Sequence, residues 1–290
     1  MLSARVDVDG RIVATAGAQR VPWWSVTKTA LATAALTLVA RGALALDTPV
    51  AGQSYTLRHL LQHRAGVPDY GSLPAYRDAV RRGERAWEPA KLLARVGADR
   101  LDFVSGQGWR YSNVGYFLVR GMIEAATGLD LEMALRRLVF DALGLASVHL
   151  VTTATELAAT AWGNGRGYDP RWVYHGLLAG TPTDAALFVH RLMSGAILPV
   201  PLLAEMRARH PIGGPLQGRP WQSTGYGLGL MIGEMASAGP AAGHSGGGPG
   251  SVSAVYHFAE RRAPCTVAAF TQAEDEAVAE FEAARLAGPA

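Results

Sequence analysis

Ser25-Val26-Thr27-Lys28-Thr29-Ala30-Leu31-Ala32-Thr33-Ala34-Ala35-Leu36-Thr37-Leu38-Val39-Ala40-Arg41 presents apolar or small residues on nearly every face of a helix. A helix that is apolar all round belongs at the centre of a protein. Gly42 is suited to close it, because glycine enters a left-handed cap without strain, and Asp47-Thr48-Pro49 begins a loop. The most apolar part, Thr29 to Ala40, lies between Lys28 and Arg41. It falls short of the roughly 20 residues a membrane span needs, so it reads as the buried helix of a soluble domain.

Working outward, both ends of the chain read as strands. Val6 and Val8 alternate with Arg5 and Asp7, Asp9-Gly10 supplies a two-residue turn, and Arg11 to Ala14 resumes the alternation, which is a β-hairpin pattern. Between about Leu57 and Arg209 helical patterns dominate: Leu57 to His63, Pro89 to Val96, Val114 to Ala126, Leu131 to Leu143, Thr183 to Met193 and Pro201 to Arg207. After Pro211 the period changes. Tyr226, Leu228, Leu230 and Ile232 alternate with Gly227, Gly229, Met231 and Gly233, then Val252 to Phe258 and Cys265 to Thr271 follow as extended runs, for three more strands. A helix from about Glu274 to Leu286 closes the chain. The pattern predicts an α+β fold: an antiparallel sheet built from both termini and flanked by helices, with an all-helical lobe inserted. The expected lobes are residues 1–50 with 211–290, and 51–210, with a cleft between them.

Chemistry is most legible at Ser25 and Lys28. Residues three apart share a helical face, so a hydroxyl and an amine become neighbours. A serine hydroxyl is a weak nucleophile until a base takes its proton. Lys28 can be that base if burial and the positive end of the helix dipole lower its pKa. Only Lys28 and Lys91 are lysine among the 27 basic residues, so the chain uses arginine nearly everywhere for plain positive charge, and arginine cannot deprotonate.

Two further stretches carry polar groups. Gly108-Trp109-Arg110-Tyr111-Ser112-Asn113 precedes the helix beginning near Val114, placing a phenol and two small polar side chains on a loop at a helix start. Gly243-His244-Ser245-Gly246-Gly247-Gly248-Pro249-Gly250-Ser251 leads toward the run from Val252, and such glycine density lets backbone N–H groups approach a ligand. It also fits the Gly-Xaa-Ser-Xaa-Gly elbow of α/β-hydrolases. That fold needs an acid and then a histidine after the serine, and no Asp or Glu lies between Ser245 and the only later histidine, His257.

Taken in order, the three stretches resemble the serine β-lactamase and penicillin-binding-protein superfamily, in particular its class C-like branch of β-lactamases, DD-peptidases, D-aminopeptidases and esterases. Ser25 to Lys28 is similar to the family's Ser-Xaa-Xaa-Lys, Tyr111 to Asn113 to its Tyr-Xaa-Asn, and His244 to Gly246 to its Lys-Thr-Gly or His-Xaa-Gly strand motif. The phrases Leu60 to Tyr70, Tyr111 to Gly128 and Gly225 to Gly229 agree as well. The resemblance implies a DD-peptidase/β-lactamase-like fold and an acyl-enzyme on Ser25. Lys28 and Tyr111 would share the proton transfers, and the N–H groups of Ser25 and Gly247 would form the oxyanion hole. Asn113, His244, Ser245 and Gly246 would contact substrate. A neutral His244 where β-lactamases carry lysine favours substrates without the β-lactam carboxylate. A small ester or amide is therefore the expected substrate. D-alanyl carboxypeptidase, β-lactamase and acyltransferase activities share the mechanism, and a catalytically silent acyl-ligand sensor is the reading from another class.

Composition bounds the rest. With 290 residues, 49% hydrophobic and 18% charged, the chain has material for a large core. Its formal net charge is +3 with the basic residues scattered, which argues against a nucleic-acid partner. The single Cys265 sits in an apolar run and reads as a buried, inert thiol. His59 and His63 stand four apart, yet no acidic residue or third histidine has ligand-like spacing. No metal or cofactor is expected. The absence of a charged leader before an apolar stretch reads as cytoplasmic.

Overall fold

The computed structural model describes residues 1–163 and 167–288. Eight strands make one antiparallel sheet: β1 (Leu2–Asp7), β2 (Ile12–Ala16), β6 (His210–Gly213), β7 (Trp221–Tyr226), β8 (Met231–Met235), β9 (Gly239–Gly248), β10 (Ser251–Phe258) and β11 (Cys265–Thr271). The remaining three, β3 (Val21–Pro22), β4 (His149–Val151) and β5 (Leu177–Gly180), form a small second sheet in the order β3-β5-β4. The helices are α1 (Thr27–Ala40), α2 (Leu57–Leu61), α3 (Pro74–Arg81), α4 (Pro89–Val96), α5 (Asn113–Thr127), α6 (Leu131–Leu135), α7 (Ala154–Ala158), α8 (Pro182–Met193), α9 (Val200–Arg207) and α10 (Glu276–Ala287).

In the large sheet the order β2-β1-β11-β10-β9-β8-β7-β6 places the N-terminal hairpin beside the last strand, so both termini do build one sheet. Helix α10 packs on β10 and β11 while α8 packs on β1, β11 and β10. Covered on both faces, β11 is buried from Cys265 to Phe270, which is why it reads as an unbroken apolar run. Cys265 is a buried free thiol.

Helix α1 is buried from Thr27 to Leu38. Its threonines are satisfied internally: Thr33 and Thr37 donate to the carbonyls of Thr29 and Thr33 at 2.8 and 2.9 Å, and Thr29 donates to Gly229 O at 2.8 Å. Gly42 has φ +71°, and Gly42 N–H and Ala43 N–H donate to Val39 O and Leu38 O, the hydrogen-bond pair of a Schellman cap. The helix starts at Thr27. Ser25 instead occupies a single 3₁₀ turn, Trp24–Val26, whose first residue is held at φ +48°.

Several expectations are corrected. The N-terminal hairpin closes through Val8-Asp9-Gly10, since Asp7 N–H donates to Arg11 O and Gly10 takes φ +81°. The alternating run from Tyr226 to Gly233 is not one strand: Tyr226 ends β7, Gly227 to Leu230 form a bend, and β8 starts at Met231; Leu228 and Leu230 are fully buried, and Gly227 N–H donates to Leu230 O. Gly229, at φ +77°, has room for no side chain, because a Cβ would lie 2.3 Å from Ala32 Cβ. Apolar–glycine alternation suits a strand or a bend that dips into the core, and contacts with α1 decide for the bend. The C-terminal part accordingly holds six strands where three were expected, and the inserted segment carries β4 and β5 besides its helices.

Candidate active site

Ser25 is presented by the 3₁₀ turn where it meets β9. A Cβ on Gly246 would lie 2.4 Å from Ser25 N, and one on Gly248 would lie 2.3 Å from the Trp24 ring, so the glycines let β9 press against that turn. Lys28, in the first turn of α1, is fully buried. Its Nζ is 3.1 Å from Ser25 Oγ, 2.8 Å from Asn113 Oδ1 and 3.2 Å from His175 Nε2. Burial pushes its pKa from 10.5 down to about 7, against the opposing pull of the Asp69 and Glu276 carboxylates.

Asn113 opens α5, whose N-cap Ser112 accepts from Gly115 N–H at 2.9 Å. Asp69 accepts from Asn113 N–H at 2.7 Å and from its Nδ2 at 3.4 Å. A carboxylate accepts only, so the amide oxygen is the atom turned to Lys28. Tyr111 lines the same cleft, with Lys28 Nζ 4.9 Å from its ring centroid. Desolvation pushes its phenol well above the ordinary tyrosine range, more strongly than the hydrogen bond with Ser25 pulls it back.

His244 is buried on β9, its Nε2 2.7 Å from Tyr226 Oη and its Nδ1 beside Ser245 O. A carbonyl accepts only, so Nδ1 carries the hydrogen and Nε2 accepts from Tyr226. Burial, together with the Lys28 and Arg219 charges, pushes its pKa down to about 3, so the imidazole is neutral. Ser245 Oγ accepts from Arg219 Nη2 at 3.1 Å, and Gly247 faces Glu276 across the cleft wall. Arg219 in turn grips the fully buried Glu280 through Nε at 2.6 Å and through Nη2, and reaches Glu276 at 3.2 Å.

These groups surround a cavity of about 490 Å³. Ser25, Tyr111, Asn113, His244, Ser245 and Gly247 line it, Lys28 lies beneath it, and Gly246 backs Ser25. All of the active-site residues expected from the sequence are thus brought together. Trp24, Tyr70, Tyr76, Trp109, Tyr168 and Tyr226 supply aromatic walls, whereas Trp23, Trp172 and Trp221 belong to the buried core.

A sequence profile of the Beta-lactamase family matches residues 3–289. The chain belongs to the Beta-lactamase family. Esterase EstB of Burkholderia gladioli is 32% identical over 162 residues, covering 49% of this chain and 41% of that protein. Penicillin-binding protein 4* of Bacillus subtilis is 31% identical over 98 residues, covering 32% of this chain and 20% of that protein. The matches thus span less than half the length of either curated relative. Among solved structures, a D-stereospecific amidohydrolase from Streptomyces sp. has a TM-score of 0.77 at 24% identity, with 99% of this chain and 92% of that chain covered. The D-amino acid amidase from Ochrobactrum anthropi SV3 complexed with D-phenylalanine has a TM-score of 0.78 at 21% identity, covering 99% and 93%. At such identities the likeness is one of fold.

Within this Beta-lactamase-family cleft, sequence reasoning missed His175, Asp69, Arg219, Glu276 and Tyr226. Asp69 and Tyr226 lie inside phrases that carry the family resemblance, though nothing in the phrases states their contacts. His175 is an isolated histidine between helical patterns, with no local signal. His59 and His63 anchor structure: His59 completes a capping box with Thr56, and His63 Nδ1 accepts from Ser112 N–H at 3.1 Å. Among the described residues no cluster of histidine, cysteine and acidic side chains is placed to hold a metal ion, and no helix is long and apolar enough to cross a membrane.

Proposed function

We propose that this protein is a serine hydrolase that cleaves a small ester or amide through an acyl-enzyme on Ser25. The observation that carries the reading is the buried Lys28 amine 3.1 Å from Ser25 Oγ with its pKa near 7. Lys28 accepts the Ser25 proton as Oγ attacks the substrate carbonyl. The tetrahedral oxyanion is held by the N–H groups of Ser25 and Gly247, each donor worth about 2.7–4 kcal/mol of barrier. Tyr111, whose phenol holds its proton and is hydrogen-bonded to Ser25, donates that proton to the leaving group, and the proton taken up by Lys28 replaces it as the site resets. Asn113, His244, Ser245 and Gly246 position the substrate, and water then releases the acyl group.

Two features favour an uncharged or cationic substrate over a carboxylate. His244 is neutral, and the Arg219 guanidinium is already paired with Glu280 and Glu276. We take the cleft as the boundary between a lobe of residues 1–50 and 211–290 and one of residues 51–210, because Ser25 and β9 face Tyr70, Tyr111, Asn113 and His175 across it. Helix α8 is the exception, since it belongs to the second segment and packs on the sheet.

The reading is tested by incubating the protein with a fluorophosphonate, short nitrophenyl esters, a D-alanyl anilide and a chromogenic cephalosporin, then measuring intact mass and turnover. The expected result is a covalent adduct absent from Ser25→Ala, with esters or amides turned over faster than the cephalosporin. An adduct that persists in Ser25→Ala, or no adduct and no turnover, sinks it.

A further inference from the structure

We propose that His175 is a positioning residue for acylation: its Nε2 takes one N–H of Lys28 so that the amine lone pair is left facing Ser25 Oγ. The inference rests on the reading of Lys28 as the base.

Lys28 Nζ has three neighbours at hydrogen-bond distance: Ser25 Oγ, Asn113 Oδ1 and His175 Nε2. An ammonium has three N–H groups and satisfies all three. The neutral amine has two N–H groups and one lone pair. Only one arrangement makes it a base toward Ser25: the two hydrogens go to Asn113 Oδ1 and His175 Nε2, and the lone pair faces the hydroxyl. Asn113 Oδ1 is oriented for this by the Asp69 carboxylate behind its amide nitrogen. Without an acceptor at the third corner, the amine is free to rotate a hydrogen toward Ser25 and its lone pair away.

The placement of His175 is rigid. It lies in the segment that enters β5, and Gly176, at φ +102°, donates to Val173 O at 2.7 Å to turn the chain there. Tyr174 beside it donates from Oη to Trp87 O at 2.8 Å. Strand β5 is tied to the nucleophile's own turn, since Leu178 N–H donates to Thr27 Oγ1 at 3.1 Å and Trp23 N–H to Leu178 O at 2.8 Å. His175 is therefore referenced to the segment that carries Ser25 and Lys28. Its other nitrogen, Nδ1, is buried without a hydrogen-bond partner among the described residues. Such an unsatisfied atom is costly, and Nε2 accepting from Lys28 requires the hydrogen to sit there.

Other groups around Lys28 do not substitute for His175. Tyr111 and Tyr116 present ring faces to Nζ at 4.9 and 5.6 Å. Asp69, Glu276, His63, His244 and Arg120 act on Lys28 or His175 through charge or burial. Burial and the Lys28 charge keep the His175 imidazole neutral, with its pKa well below the ordinary value. During acylation the Oγ–H bond breaks, the Oγ–carbonyl carbon bond forms, and the proton becomes the third N–H of Lys28, with His175 accepting one of the other two throughout.

The test compares wild type, His175→Leu, His175→Gln and His175→Asn. Acylation is followed across pH with a fluorophosphonate by intact mass and with 4-nitrophenyl acetate, whose leaving group needs no proton. In His175→Leu the plateau rate falls by on the order of 10²-fold, and the acidic limb moves to lower pH because the ammonium has lost an acceptor. Gln, whose amide reaches the Nε2 position, restores both. Asn, one bond short, does not. Equal profiles for wild type and Leu, or equal behaviour of Gln and Asn, overturn the proposal. If Leu fails to unfold cooperatively, the Gln–Asn pair still decides. A wild-type protein that forms no Ser25 adduct overturns the hydrolase reading itself, whereas normal labelling with indifferent His175 variants overturns this inference alone.

Discussion

Lys28 and His244 are two buried nitrogens in one cleft, and desolvation drives both toward the neutral form, yet one settles at about 7 and the other at about 3. The difference is intrinsic, since an aliphatic amine starts at 10.5 and an imidazole at 6.5 and both fall by a similar amount, although the surrounding charges have opposite signs. Asp69 and Glu276 pull Lys28 back toward protonation, whereas Lys28 and Arg219 push His244 further from it. The same burial therefore makes a titrating base at α1 and a permanently neutral hydrogen-bonding group on β9. A base is useful when its pKa lies near the working pH, and only Lys28 meets that condition.

The largest test of this contrast removes the titrating member. Lys28→Met is expected to fold and to lose about 10³-fold in fluorophosphonate acylation; near-normal labelling would show that the amine is not the proton acceptor. Next comes the contact that holds the two nitrogens in register. Gly246→Ala puts a Cβ 2.4 Å from Ser25 N, and neither backbone can yield cheaply, so acylation should fall on the order of 10²-fold. An unchanged rate would show that β9 and the Ser25 turn are not tightly coupled.

Smaller effects appear in pH profiles. In wild type the acylation rate should rise about tenfold per pH unit below pH 7 and level above it. Asp69→Asn removes a charge that favours the Lys28 ammonium, so the acidic limb should move about one unit lower; a shift upward contradicts the electrostatic account. His244→Gln replaces one neutral group by another. The 4-nitrophenyl acetate rate should fall severalfold with the limb unmoved, whereas a limb shifted upward would mean that His244 carries charge at neutral pH.

Much of the site is legible because its motifs are local. Ser25 and Lys28 are one helical turn apart, Tyr111 and Asn113 flank a cap residue, and the glycines around His244 mark close backbone approach. Periodicity gave no sign of strand β9, which only the resemblance to the family's strand motif implied, because glycines lower strand propensity although here they are required where Trp24 and Ser25 touch it. The pattern from Tyr226 to Gly233 misled for the converse reason: alternation is a property of spacing, and the bend at Gly229 is dictated by Ala32 and Thr29 on α1.

By itself, then, the sequence determined the α+β class, the central apolar helix, and the three motifs that meet in the cleft. Periodicity, caps and glycine placement act between near neighbours along the chain. Only the tertiary structure decided that Lys28 is fully buried, that His175 occupies the third corner around its amine, and that Glu280 neutralises Arg219. Each of these depends on desolvation or on charges brought in by segments distant along the chain, and through-space electrostatics of that kind leaves no trace in local spacing.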